Sequence, residues 1–66
     1  MQIQLNGKPR ELPEAATVAT LIDELQLAGR RVAVEINEEI VPRSRHAEYQ
    51  LKPGDTVEVV HAIGGG

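Results

Sequence analysis

The chain has 66 residues, 41% of them hydrophobic and 26% charged, with a net charge of −3, no cysteine and a single aromatic residue. A length of this order allows one small domain that buries only about 60% of its unfolded surface, which excludes a deep cleft between lobes. Without cysteine there is no disulfide, thiol nucleophile, cysteine-based zinc knuckle or persulfide, and an acidic balance without stacking rings opposes nucleic-acid binding.

No apolar run approaches the roughly 20 residues that span a bilayer. The opening Met-Gln-Ile-Gln-Leu carries no basic region and no apolar signal core. The expectation is a cytoplasmic protein that engages neither membrane nor nucleic acid. His46 and His61 fall short of a metal site unless carboxylates complete it, so no metal is expected.

Met1, Ile3 and Leu5 alternate with Gln2 and Gln4, the period of a half-buried strand. Asn6-Gly7 suits a tight hairpin turn, because both residues tolerate positive φ. A short return strand is expected over Arg10 to Leu12, limited by Pro9 and Pro13. Thr17 stands where a helix N-cap belongs, and Val18, Leu21, Ile22 and Leu25 then recur at helical spacing. The spacing predicts a helix over residues 18–28, ended by Gly29 in a left-handed conformation.

Val32, Val34 and Ile36 mark a third strand, and Ile40-Val41-Pro42 a very short fourth. Arg43 to Gln50 has no period and reads as a loop. Lys52-Pro53-Gly54-Asp55 places proline and glycine where a type II turn requires them. Thr56 to Ala62 is the last strand, with Val57 and Val59 inward and Glu58, Val60 and Ala62 outward. The order β-β-α-β-β-β without repeats or linkers predicts one α+β domain spanning residues 1–66.

Half of the six glycines stand at the end, as Ile63-Gly64-Gly65-Gly66. Composition alone leaves two readings open: a frayed terminus or linker remnant, or a flexible tail over residues 63–66 built to enter a narrow channel in another protein. Glycine lets a partner close around bare backbone, and four extended residues reach roughly 13 Å.

A hairpin, one helix, further short strands and a terminal diglycine on a cysteine-free chain resemble the β-grasp, ubiquitin-like fold. Four segments are similar to the ThiS family, the bacterial sulfur carriers of thiamine biosynthesis. They are Met1-Gln-Ile-Gln-Leu-Asn-Gly7, Thr17-Val-Ala-Thr-Leu-Ile22, residues 34–43 ending in Ile-Val-Pro-Arg43, and residues 51–66 ending in Val-Val-His-Ala-Ile-Gly-Gly-Gly66. The resemblance implies a mixed sheet of four or five strands packed on one helix. It also implies that a partner related to ubiquitin-activating enzymes, a ThiF-type adenylyltransferase, uses ATP to adenylate the carboxylate of Gly66. Sulfur drawn ultimately from a cysteine desulfurase then displaces AMP, and the thiocarboxylate is donated to a ThiG-type thiazole synthase.

On that reading Gly64 and Gly65 thread the partners' channels, and the chain itself has no catalytic residue and binds no cofactor. The residues agree with it. A terminal carboxylate, with a pKa of about 3.5, is ionised and a poor electrophile until activated. The chain has no phosphate-cradling G-x-x-x-x-G-K segment, so the nucleotide falls to a partner. Val60, Ala62 and Ile63 form an apolar spot beside the tail, read as a docking surface for partners or, more plainly, as scattered exposed apolar residues.

Arg30, Arg31, Arg43 and Arg45 could meet acidic patches on a partner, although isolated surface arginines are commoner. Glu38, Glu39 and His46 have ligand chemistry without ligand spacing and read as a solvated loop, and the Tyr49 ring is expected at the core edge with its hydroxyl bonded nearby. The rival functions share the fold: a carrier for molybdopterin synthesis or tRNA thiolation, a ubiquitin-like modifier joined to lysines, or a nucleic-acid-binding β-grasp module.

Overall fold

The computed structural model describes residues 1–61. Strands β1 (Gln2–Leu5) and β2 (Lys8–Glu11) form the hairpin around Asn6 and Gly7. Both turn residues have positive φ, 49° and 84°, which a two-residue loop between twisted strands requires. The return strand differs from the one expected over Arg10 to Leu12, because Pro9 lies inside it, opposite Gln4. β2 is an edge strand, where a residue lacking an N–H is tolerated. Leu12 falls just outside the strand but still exchanges hydrogen bonds with Met1: its N–H donates to the Met1 carbonyl at 2.8 Å, and the terminal ammonium donates to its own carbonyl at 2.7 Å. Hydrogen bonding to Glu14, then the charges of Glu14 and Glu11, raise the pKa of that ammonium above its ordinary value.

The helix α1 (Val18–Glu24) starts on a reciprocal cap. The Thr17 hydroxyl accepts from the Thr20 N–H at 3.2 Å, and the Thr20 hydroxyl accepts from the Thr17 N–H at 3.3 Å. Val18, Leu21 and Ile22 are buried against the sheet. The helix is shorter than the expected 18–28: Leu25 caps it, and Gln26 rather than Gly29 takes the first left-handed conformation, at φ 60°. Leu25 and Leu27 both pack on the core. Two residues apart on a helix would point them to opposite sides, so the chain unwinds between them. Gly29, at φ 80°, serves a second turn leading into the next strand.

Strands β3 (Val32–Ile36) and β4 (Glu39–Val41) form a second hairpin around Asn37 and Glu38, again with positive φ. The segment read as a loop contains a single 3₁₀ turn, Arg43–Arg45, and ends where Gln50 bridges Thr17. Gly54 at φ 84° and a bond from the Asp55 N–H to the Lys52 carbonyl close the turn before β5 (Thr56–His61).

The sheet order is β2-β1-β5-β3-β4, with β1 and β5 parallel and the other pairs antiparallel. This is the mixed five-stranded sheet with one helix that a β-grasp domain requires. Ile3, Val34, Ile36 and Val57 from the sheet meet Val18, Leu21 and Ile22 from the helix in an aliphatic core closed by Leu12, Ala16, Val41 and Leu51. Each buried Val, Leu or Ile side chain contributes roughly 1.5–3 kcal/mol by leaving water. The expected flexible tail, 63–66, lies outside the described residues.

Candidate functional site

The strand that runs toward the terminal glycines is the centre of the sheet. β5 pairs with β3 from Ile36↔Val57 to Val32↔His61, and with β1 at Gln4↔Thr56 and Leu5↔Val57. Beyond Leu5 the first strand turns away, and a side chain takes over its role. The Asn6 Oδ1 accepts from the Val59 N–H at 3.0 Å, and its Nδ2 donates to the Val59 carbonyl at 3.3 Å. The backbone N–H of Asn6 also donates to the Val57 carbonyl at 2.9 Å. One asparagine thus satisfies the groups of β5 that the missing strand residue would have paired.

A second asparagine does the same at the start of β5. The Asn37 N–H donates to the Thr56 carbonyl at 2.8 Å, and its Oδ1 accepts from the Thr56 N–H at 3.1 Å. Its Nδ2 donates to Asp55 Oδ1 at 3.1 Å, while Asp55 Oδ2 accepts from the Lys52 N–H at 2.9 Å. Both asparagines sit in hairpin turns at positive φ, a conformation their short polar side chains tolerate. Sequence reasoning assigned Asn6 only to its turn and gave Asn37 no part. The contact from Asn6 to Val59 crosses 53 residues, and the only local signal was an asparagine at each turn.

The two faces of β5 differ as the alternation predicts. Val57 is fully buried and Val59 packs, half-buried, on the core. Glu58 and Val60 face outward, and Val60 is 58% exposed. Ala33 stands opposite Val60, Glu35 opposite Glu58, and Ile40, 69% exposed, opposite Glu35. The open face therefore carries three apolar side chains around two carboxylates that meet directly across strands. Sequence reasoning anticipated Val60 but not Ala33, Ile40 or the Glu35–Glu58 pair, which depend on strand order. Ala62, Ile63, Gly64, Gly65 and Gly66 lie outside the described residues.

His46 departs from the solvated loop expected for it. It is buried, and its Nε2 donates to the Val41 carbonyl at 3.0 Å, so the ring braces the chain just after β4. The Tyr49 ring lies at the surface edge, 37% exposed, and its hydroxyl makes no hydrogen bond among the described residues. No cluster of three or more His, Cys, Asp or Glu residues suited to a metal occurs among the described residues. None of the described helices is long and apolar enough to cross a membrane.

Comparison with known proteins places this geometry in a family. The ThiS family model matches residues 3–66. The sulfur carrier protein ThiS of Bacillus subtilis is 38% identical, the match covering 97% of this chain and 98% of that protein. A protein named thiazole synthase from Paramagnetospirillum magneticum is 44% identical over the whole chain, which spans only 20% of that protein's length. The crystal structure of a thiamine biosynthesis protein, ThiS, from Geobacter metallireducens superposes with a TM-score of 0.84 at 35% identity, over 100% of both chains. The chain belongs to the ThiS family of ubiquitin-like sulfur carrier proteins.

Proposed function

We propose that this protein carries sulfur, as a thiocarboxylate on Gly66, for construction of the thiazole ring of thiamine. The Gly66 carboxylate attacks the α-phosphorus of ATP on a ThiF-type adenylyltransferase and releases pyrophosphate. A sulfur nucleophile, supplied ultimately by a cysteine desulfurase, adds to the acyl carbon and expels AMP. The thiocarboxylate then delivers its sulfur to a ThiG-type thiazole synthase. The whole chain acts as one carrier domain in the cytoplasm, and its enzymes supply ATP binding and catalysis.

The observation that carries this reading is the bracing of β5. The strand leading to the glycines is central in the sheet and tied by asparagine side chains at its start, Thr56, and again at Val59. A carrier whose chemistry lies beyond its last strand needs that strand held, because movement there moves the reacting atom. Family membership supports the sulfur chemistry, and the thiazole synthase that aligns with the whole chain supports the acceptor. Val60, with Ala62 and Ile63 beyond it, docks the partners beside Gly64 and Gly65. The facing Glu35 and Glu58 ask the partner for an apolar surface with a cation at its rim, since neither has an ion pair among the described residues.

Intact mass after incubation with ATP, the adenylyltransferase and a sulfur source tests the proposal. The expected product shows one oxygen replaced by sulfur at Gly66. Deleting Gly66 or appending an alanine shifts the carboxylate by about 3.3 Å, against reacting atoms that must approach within roughly 3–3.5 Å. Either change should nearly abolish loading without lowering the melting temperature. Gly65→Val should fail because its branched side chain obstructs a channel fitted to bare backbone. Normal loading of the alanine-extended chain would falsify the assignment.

A further inference from the structure

On the helix side of the sheet, a groove of about 250 Å³ runs between the end of α1, the turn leading to β3 and the 3₁₀ turn after β4. Ile22, Leu27 and Val32 line it with the buried His46 ring, and Arg30 and Arg43 stand at its rim from separate segments. Both arginines are exposed and neither makes an ion pair among the described residues, whereas Arg10 and Arg45 are paired with Glu24 and Glu48. None of the ten Asp and Glu side chains lines the groove. The Glu35–Glu58 pair faces away from the helix, on the other side of the sheet. An acidic protein has therefore gathered unpaired cations around one apolar depression.

We propose that this groove is a second docking site, which takes an acidic segment of a partner protein by seating one apolar side chain between flanking carboxylates. The occupant follows from the lining. A bare phosphate would satisfy the arginines and leave the aliphatic floor wet, in a space many times the roughly 30 Å³ of one water. A nucleic acid would meet two or three cations on a chain of net charge −3 that offers no ring for stacking. A peptide with an apolar residue between carboxylates fits both the floor and the rim. The site does not depend on the sulfur-carrier reading. It lies apart from the open face of β5, so a partner can hold the domain there while the other face and the chain end are engaged.

The test is an NMR titration of the ¹⁵N-labelled full chain. The probe is an acetylated pentapeptide with one leucine between paired glutamates, and the controls are its lysine counterpart, inorganic phosphate and a ten-nucleotide RNA. The acidic peptide should shift the amides of Gly29, Arg30, Val32 and Ala47 and the His46 ring signals in fast exchange. Arg30→Glu combined with Arg43→Glu should weaken it at least about fivefold without changing the melting temperature. Alanine in place of the probe's leucine should weaken it roughly tenfold. The proposal is overturned by no shifts at millimolar peptide, by equal shifts with the lysine peptide or phosphate, or by tighter RNA binding. Shifts centred on Glu58 and Val60 overturn it too, as does self-association of the chain through the groove, read by sedimentation. Loss of sulfur loading at Gly66 would leave the groove result untouched, so the two readings fail separately.

Discussion

The inner and outer faces of β5 both carry valine but differ sharply in exposure. Valine stands at 57, 59 and 60; the first is fully buried, the second half-buried and the third 58% exposed. Only the alternation of the strand and the presence of the helix on one side separate them. The inner face supplies aliphatic contact that holds a chain without disulfides. The outer face gives up such contact and places two carboxylates directly opposite each other, an arrangement that opposes sheet stability. Buried aliphatic contact and an exposed mix of apolar and acidic side chains thus lie on opposite sides of one strand, one residue apart.

The same substitution on the two faces breaks the comparison most forcefully. Val57→Asp buries an unpaired charge and should cost more than about 4 kcal/mol, most of what a small domain has. Circular dichroism should show no cooperative melt at 37 °C or above, taking about 37 °C as a physiological reference. Val60→Asp should cost less than about 1 kcal/mol, the span of strand preferences, yet lower sulfur loading by roughly tenfold or more, as loss of a central apolar contact does. A folded, active Val57→Asp protein, or a Val60→Asp protein that loads normally, would show the facing to be wrong.

A smaller effect tests the bracing of β5. Asn6→Ala removes both side-chain bonds to Val59 and puts a Cβ residue other than asparagine at φ 49°, which should cost about 1–3 kcal/mol. Asn6→Gly keeps the backbone freedom and isolates the bond loss at about 1 kcal/mol. In both variants the Val59 amide should exchange faster with solvent while Val57 stays protected. Asn37→Gly should instead speed exchange at Thr56, whose N–H it holds. Unchanged exchange at Val59 would mean that β3 alone carries the end of the strand.

The elements were legible where one face of a segment is buried and the other wet. Alternation marks β1, β3 and β5, the spacing from Val18 to Leu25 marks the helix, and turn and proline signals place β2 and β4 within two residues of their observed bounds. The helix ends earlier than its sequence suggests, because Gly29 is the more obvious local stop while the need to pack both Leu25 and Leu27 on the core is a tertiary demand. The burial of His46 is hidden for a similar reason: nothing local shows that its ring meets the Val41 carbonyl. Of the open face, Val60 follows from period two alone, whereas Ala33, Glu35 and Ile40 join it only through the order β5-β3-β4. Pairing partners are a property of the fold and not of any window of sequence.

The smallest expected effect sharpens the comparison by reversing its usual sign. Glu35 and Glu58 face each other across β3 and β5, and Ile40 flanks Glu35 from β4. Like charges directly opposite on a sheet are destabilising by a fraction of a kcal/mol, so Glu58→Gln should stabilise the domain by about 0.2–1 kcal/mol. For a domain of this size that raises the melting temperature by roughly 1–8 °C, and added salt should shrink the gain by screening the repulsion in the parent. If the pair is retained for docking, the same variant should load sulfur more slowly, with a lower apparent affinity for the adenylyltransferase and a weaker salt dependence of association. A variant that is both more stable and equally well loaded would assign the carboxylates to solubility and leave docking to the apolar side chains alone.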